Sequence, residues 1–480
     1  MVCRVRQVLA ILAAAMVVSV SVTACTSRAP SDNTGAGTGP GPTQAITPPF
    51  PVKSQGDTWT LGPVRTGYFQ VTGWADTHDL WVRWQDEDTS HLLVFDPQAG
   101  KATDEYDINA EGSQVYGLDL LAGGLGVVYS VLPSGKQGTP AAIWHQSPGA
   151  AAQEVTSGAF YYVLSPDRKG ILLQYSDNRL AYVDLSASAH IKPVPDLPAY
   201  EFPYMVPGMA WSGHLVAGEQ WNPLPSEVVV VDLSTQQKVA TLSVPDRHVF
   251  QPAWSPDGQI LAVWSMPEGQ AYPPPEDESS PVLADSLYFF TASGRLLQGV
   301  DVPGAGGTGT LVWSPAGDGV AFLVLRIDEN RQPVTDVMFA TPGGQVRELA
   351  TGLPGNPNDI EWSPDGTTLL VAVQGNAFSG SDTHLWLVSA SGANPPHEII
   401  GVSQVSTPAV YLPSGALLVE EDTPDGVQVV KLDGQGNRLA VVYTGTQSVD
   451  DLSVSSDGRF AAGLAGHSDD QVVVVFAVPQ

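Results

Sequence analysis

Trp254-Ser255-Pro256-Asp257-Gly258 returns later in the chain as Trp362-Ser363-Pro364-Asp365-Gly366. Looser copies are Trp313-Ser314-Pro315-Ala316-Gly317, Leu164-Ser165-Pro166-Asp167, Ser455-Ser456-Asp457-Gly458, Leu412-Pro413-Ser414-Gly415 and Trp211-Ser212-Gly213. The chemistry is that of a type I turn, with Ser first, Pro presetting φ at the second position, Asp third and Gly last. A short apolar strand follows each turn, as at 260–264, 320–325 and 369–373. A loop comes next, and then a second apolar strand.

Those second strands recur at 91–96, 141–145, 179–184, 227–232, 286–290, 336–340, 384–389, 426–432 and 471–477, at intervals of 38 to 59 residues. A repeat near 40–50 residues with four strands in each unit is the pattern of propeller blades, since no unit buries both of its faces alone. The expected fold is all-β: a single β-propeller of eight to nine four-stranded blades, preceded by a signal peptide and a disordered linker. The ninth unit ends at Gln480 after its third strand, and Thr58-Trp59-Thr60-Leu61 precedes the first unit. An amino-terminal strand that completes the last blade would protect the sheet edges and lock the ring.

The Trp-Ser-Pro-Asp-Gly turn resembles the repeat of TolB-like propellers, which also occurs in propellers of prolyl-oligopeptidase-type peptidases. The resemblance spans roughly residues 70–480 and is strongest after residue 160. WD-repeat propellers differ, because their Gly-His and Trp-Asp pairs are missing here. The resemblance to TolB-like propellers implies an extracytoplasmic platform that binds other proteins. The motif tryptophans are expected to pack between blades rather than to touch a ligand.

The amino terminus carries Arg4 and Arg6, and an apolar run follows over 8–22. A membrane span needs about 20 apolar residues, so the run is read as the core of a secretory signal. It ends at Val22-Thr23-Ala24-Cys25, which resembles the lipobox of bacterial lipoproteins. That resemblance implies cleavage before Cys25 and acylation of its sulfur, palmitate included. Cys3 is the only other cysteine and lies within the signal, so the mature chain has no internal disulfide. Residues 26–56, rich in Ser, Thr, Gly and Pro, read as a tether. The expected organisation is therefore a signal at 1–24, an acylated cysteine and linker at 25–56, and a propeller at 57–480. The expected place is the extracytoplasmic side of the cell membrane, held by lipid alone.

The net charge of −29 repels nucleic acid and anionic lipid head groups, and both are set aside as partners. Hydrolase chemistry of the peptidase type needs a Gly-x-Ser-x-Gly elbow. Ser379 in Phe378-Ser379-Gly380 is the nearest approach, and it falls in a loop. The nine histidines are scattered, with no His-Glu-x-x-His or paired-cysteine spacing. Asp76, His78 and Asp79, with His467, Asp469 and Asp470, are the local polar groups available to a channel site. They read more simply as solvated turn residues, and no metal, cofactor or catalytic residue is assigned.

The loops are more informative. In a propeller, the second-to-third-strand loops and the blade-to-blade connections leave from one face. Three long segments fall there: one with Tyr200, Phe202 and Tyr204, the loop 220–227 with Trp221, and the loop 266–285 with Tyr272 and Glu276-Asp277-Glu278. Aromatics of this kind make binding hot spots. The acidic runs Asp86-Glu87-Asp88 and Asp328-Glu329 are expected on the same face. The bland reading is a proline-stiffened surface without a partner. The functional reading is a non-enzymatic binding or scaffold module that contacts an envelope protein or polymer. The alternative is a lactonase, lyase or glycosidase with its site in the propeller channel.

Overall fold

The computed structural model describes Pro48 and residues 50–480, apart from 64–67, 76–78, 86–88, 110–112, 124, 134–139, 148–149, 176–178, 187–190, 195–208, 221–224, 270–283, 303–305, 376–382, 403–408 and 467–469. The described residues form 36 strands, nearly all in antiparallel four-strand meanders. Blades 1 to 8 span 68–109, 113–159, 159–194, 209–242, 247–301, 306–354, 356–399 and 409–445. Blade 9 is made of Val449–Val454, Phe460–Ala465 and Val472–Ala477, completed by Thr58–Leu61. The protein is a β-propeller, and the repeat count of nine is what the strands give. Blades 2 and 3 share the strand Gln153–Leu164 and so form one seven-stranded sheet. Within it the chain passes from the outer strand of one blade to the inner strand of the next at Gly158, whose φ of 85° a side-chain-bearing residue rarely adopts.

The repeated turn folds as its residues dictate. In blade 5 the Gly258 amide donates to the Ser255 carbonyl at 2.8 Å, closing the type I turn. The Ser255 hydroxyl then donates to Asp257 at 2.6 Å and accepts from the Ile260 amide at 3.0 Å. Ser363 and Ser455 make the same contacts in blades 7 and 9. Each of these serines is buried, so the hydroxyl supplies partners that water does not reach. Gly258, Gly317, Gly366 and Gly458 sit at φ of 67–72°. Blade 3 has Arg168 there instead, at φ 53°.

The tryptophan before the turn joins neighbouring blades. Trp254 donates to the Ala210 carbonyl at 3.2 Å, Trp313 to Ala253 at 2.9 Å and Trp362 to Val312 at 3.1 Å. Each bond runs from one inner strand to the inner strand of the preceding blade. These tryptophans are packing residues.

The apolar core is divided in the same way. Nine clusters of buried residues occur among the described residues, each between two consecutive blades. One of them joins blade 9 to blade 1 through Leu61, Phe69, Leu80, Val82, Val473 and Val475, so the ring is closed. At this seam Trp74 also donates to the Ser453 hydroxyl at 3.2 Å.

Thr58–Leu61 pairs with the last strand, Thr58 opposite Phe476 and Leu61 opposite Val473, as expected. The expected tether of 26–56 is too long at its far end. Val52–Gln55 adds a further strand outside Thr58–Leu61, and Phe50 is buried. The signal was in the sequence: two short strand-like runs flank Gly56-Asp57, a two-residue hairpin turn. No helix of the described residues is long and apolar enough to cross a membrane.

Candidate functional site

Antiparallel meanders send every first-to-second and third-to-fourth turn to one face of the ring. Second-to-third loops and blade-to-blade connections go to the other. The first is called here the turn face, the second the loop face.

Turn-face connections are short, and most of the described ones are internally bonded. Besides the serine turns, Asp96, Asp232 and Asp433 each accept from backbone amides two to four residues on. The Ser255 hydroxyl and the Gln259 amide hold the Asp257 carboxyl below its usual range. Much of the acidity on this face is therefore occupied in turns, and Arg168, Lys169, Arg295 and Arg459 stand among it.

Connections on the loop face differ in length from one residue, Gly355, to the long segment between Pro267 and Ser286. Acids dominate: Asp328, Glu329, Asp422, Asp425, Asp450, Asp451 and Asp470 lie here. Asp328 closes its own loop by accepting from the Asn330 and Gln332 amides at 2.8 and 2.7 Å. Nearby Arg326 is held bidentately by Asp336 at 2.7 and 2.9 Å. In blade 5 the Arg247–Asp285 pair stands at the foot of the long loop.

Beneath this face, side chains of second strands reach the inner strand of the next blade. Arg83 donates to the Val115 carbonyl at 2.8 Å. Glu420 accepts from the Val449 amide at 2.6 Å, and Glu219 from the Gln251 amide at 3.5 Å. All three side chains are buried. Gln251 and Asp451 sit at β-bulges of inner strands with φ of 46° and 53°. These charged groups seat the irregular inner strands of blades 2, 5 and 9.

Inner strands of neighbouring blades touch one another, which places them at the narrow axis of the ring. Along Asn356–Trp362, Ile360 and Trp362 enter the core against blade 6, while Asp359 and Glu361 alternate with them on the opposite side. Burial and the neighbouring Asp359 push the Glu361 carboxyl up to about 7. Burial raises Asp359 as well. It raises Asp119 against the Tyr162 hydroxyl, 2.7 Å away, and Arg168, and raises Asp451 with help from Asp450. Yet Asp359 and Asp451 still reach solvent. They are acids on inner strands near the axis, where partial burial, and for Asp451 the neighbouring Asp450, makes the charged form costly.

Tyr200, Phe202, Tyr204, Trp221, Tyr272, Glu276, Asp277 and Glu278 lie outside the described residues, as do Cys25, Ser379, Asp76, His78, His467, Asp469 and Asp86-Glu87-Asp88. Their flanking strands do set the connections: the chain leaves Gln220 and returns at Glu227 on the loop face, and the long segment after Pro267 does the same. Asp328-Glu329 is on that face as expected. Asp79 and Asp470 are parted, Asp79 on the turn face and Asp470 on the loop face, so these two acids do not share one site. Among the described residues no three His, Cys, Asp or Glu side chains come together to hold a metal ion. The axial acids were not singled out from sequence. Their signal is Asp359-Ile360-Glu361-Trp362, acids alternating with core residues just ahead of a repeat turn.

No protein-family model and no curated protein matches the chain. Among solved structures it is similar to the hydrazine synthase of Kuenenia stuttgartiensis, with a TM-score of 0.40 and 15% identity over 68% of this chain and 98% of that chain.

Proposed function

We propose that the chain is a lipid-anchored, extracytoplasmic propeller of the TolB-like type that binds an envelope protein or polymer and catalyses no reaction. The observation that supports this reading best is the contrast between the faces. A face whose turns are short and self-bonded offers a partner little beyond its own scaffold. A face of unequal, acidic connections on a rigid ring is where binding residues accumulate. Its acidity favours a partner with a basic surface, because complementary charge speeds encounter.

The test is co-purification from detergent-solubilised membranes with the full chain as bait, altering one face at a time. Recovery lost on loop-face changes and kept on turn-face changes supports the reading. The reverse pattern overturns it. The anchor is tested separately. A fatty-acid probe is expected to label the wild type and not Cys25→Ser, and an unlabelled wild type removes the lipid claim.

One observation favours the enzymatic alternative. A carboxyl tuned near neutrality beside a second acid, at the ring axis, is the kind of group that performs acid–base chemistry. Turnover of a glycoside or lactone that disappears in Glu361→Gln, with folding intact, would replace binding as the primary reading.

A further inference from the structure

Phe50–Gln55 occupies a place on blade 9 that the ring does not need for closure. Thr58–Leu61 is paired on both edges and buries Leu61. Among the described residues Val52–Gln55 is paired on one edge only, Val52 opposite Leu61 and Gln55 opposite Thr58, and its last three residues are exposed. The buried side chain of this segment is Phe50. Its ring meets Phe69 at 5.1 Å and Trp84 at 5.2 Å, edge to face in both cases. The Pro51 carbonyl then accepts from the Gly62 amide at 2.9 Å. Beside the strand the packing is open: a cavity of about 360 Å³ is lined by Val52, Ser54, Trp59, Gln98, Ala99 and Gly100.

An aromatic side chain in a pocket, followed by backbone pairing along a sheet edge, is how domains capture extended peptides by strand addition. We propose that the outer edge of blade 9, with the Phe69–Trp84 pocket, is a binding site for an extended segment that carries an aromatic residue two positions ahead of its strand. The chain's own Phe50–Gln55 fills it as a detachable strap. Detachment follows from where the contacts lie. A segment with one buried side chain and one paired edge opens locally at far lower cost than the strand beneath it. Opening leaves blade 9 with its four strands and exposes the edge of Thr58–Leu61 together with an aromatic pocket.

The test replaces residues 50–55 of the full chain by a Gly/Ser stretch and adds a fluorescent peptide of residues 47–56. The replaced chain is expected to melt cooperatively, to bind the peptide saturably, and to bind a Phe50→Ala peptide at least tenfold more weakly. Wild-type chain, with its site filled, is expected to bind the peptide at least tenfold more weakly than the replaced chain. A folded replaced chain that ignores the peptide overturns the proposal, and so does equal binding of the two peptides. Hydrogen exchange on the wild type covers the case in which the replaced chain fails to fold. Amides of Val52–Gln55 are expected to exchange at least tenfold faster than those of Thr58–Leu61. Equal rates mean that the strap does not detach. A dimer that dissociates on adding peptide would place the strap between copies and overturn its assignment within one chain.

Discussion

The turn face and the loop face differ in what holds their backbone. On the turn face a buried hydroxyl, a carboxylate and a left-handed glycine recur in blades 5, 7 and 9, and tryptophans carry the bonding from one blade to the next. On the loop face the bonding is improvised. Arg83 reaches a carbonyl of the next blade, Glu420 an amide of the next blade, and Arg326 pairs with Asp336 within one blade, without a shared sequence motif. A repeat that secures one face leaves the other free to vary, because each blade needs only one well-ordered end to keep its register. The stability of the ring and its capacity to bind are thereby separated in space.

The separation predicts large losses at the turn face. Trp362→Ala removes a nearly buried ring and its bond to the Val312 carbonyl. The expected cost is about 3–5 kcal/mol, read as a shift of the urea midpoint, with partner recovery unchanged under native conditions. A loss under about 1 kcal/mol would mean that the tryptophans are not what joins the blades, and the contrast between the faces would weaken.

The axial acids give a pH-dependent test. The Glu361 carboxyl titrates near 7 in the fold and near 4.3 in an unfolded chain. The folded state therefore favours the protonated form. Its contribution is fully present below the unfolded value and is lost as pH rises towards 7. Glu361→Gln cannot ionise, so it is expected to be more stable than wild type at pH 8, by about 2–4 kcal/mol. The difference is expected to vanish near pH 4. Parallel melting curves across that range would show that Glu361 is better solvated than its position indicates.

A smaller loss is expected from Ser363→Ala, which strands the buried Thr368 amide. The cost is about 1–3 kcal/mol in chemical denaturation. The matching change at Ser391, exposed on a third-to-fourth turn, is expected to cost well under 1 kcal/mol. Equal costs would make the buried serine incidental to the turn.

The turn face was the readable one. Ser-Pro-Asp-Gly dictates local conformation through short-range bonds, so its copies marked the blades after residue 160. The spacing of the apolar runs marked the third strands of all nine blades and left Thr58–Leu61 to complete the last. The loop face is assembled by contacts distant in sequence. Glu420 meets Val449, and Arg247 meets Asp285; no spacing announces either pair. The axial acids escaped notice for a related reason. Asp359 and Glu361 look like solvated strand residues until the inner strands are known to converge. Phe50–Gln55 was missed because the proline-rich stretch before it extends the look of a linker up to the hairpin.

The smallest expected effect on stability is the most informative about function. The long loop of blade 5 is tied down at its foot, where Ala284 pairs with Gly307 and Asp285 with Arg247. Removing 270–283 keeps both contacts. Changing the length of a surface loop alters closure entropy by only about 0.6 kcal/mol per doubling, so the melting temperature is expected to stay close to that of the wild type. Partner recovery is expected to disappear with the loop. It should also disappear in Trp221→Ala combined with Tyr272→Ala, since a lost aromatic anchor commonly costs about 2 kcal/mol or more. Neutralising Glu276, Asp277 and Glu278 acts earlier along the binding path. Association is expected to slow and to depend less on salt, with dissociation little changed. Recovery that survives all three changes, or that fails only when turn-face residues are altered, would put binding on the more regular face. Self-bonded turns would then be the recognition surface, and the variable loops would be surface without a partner.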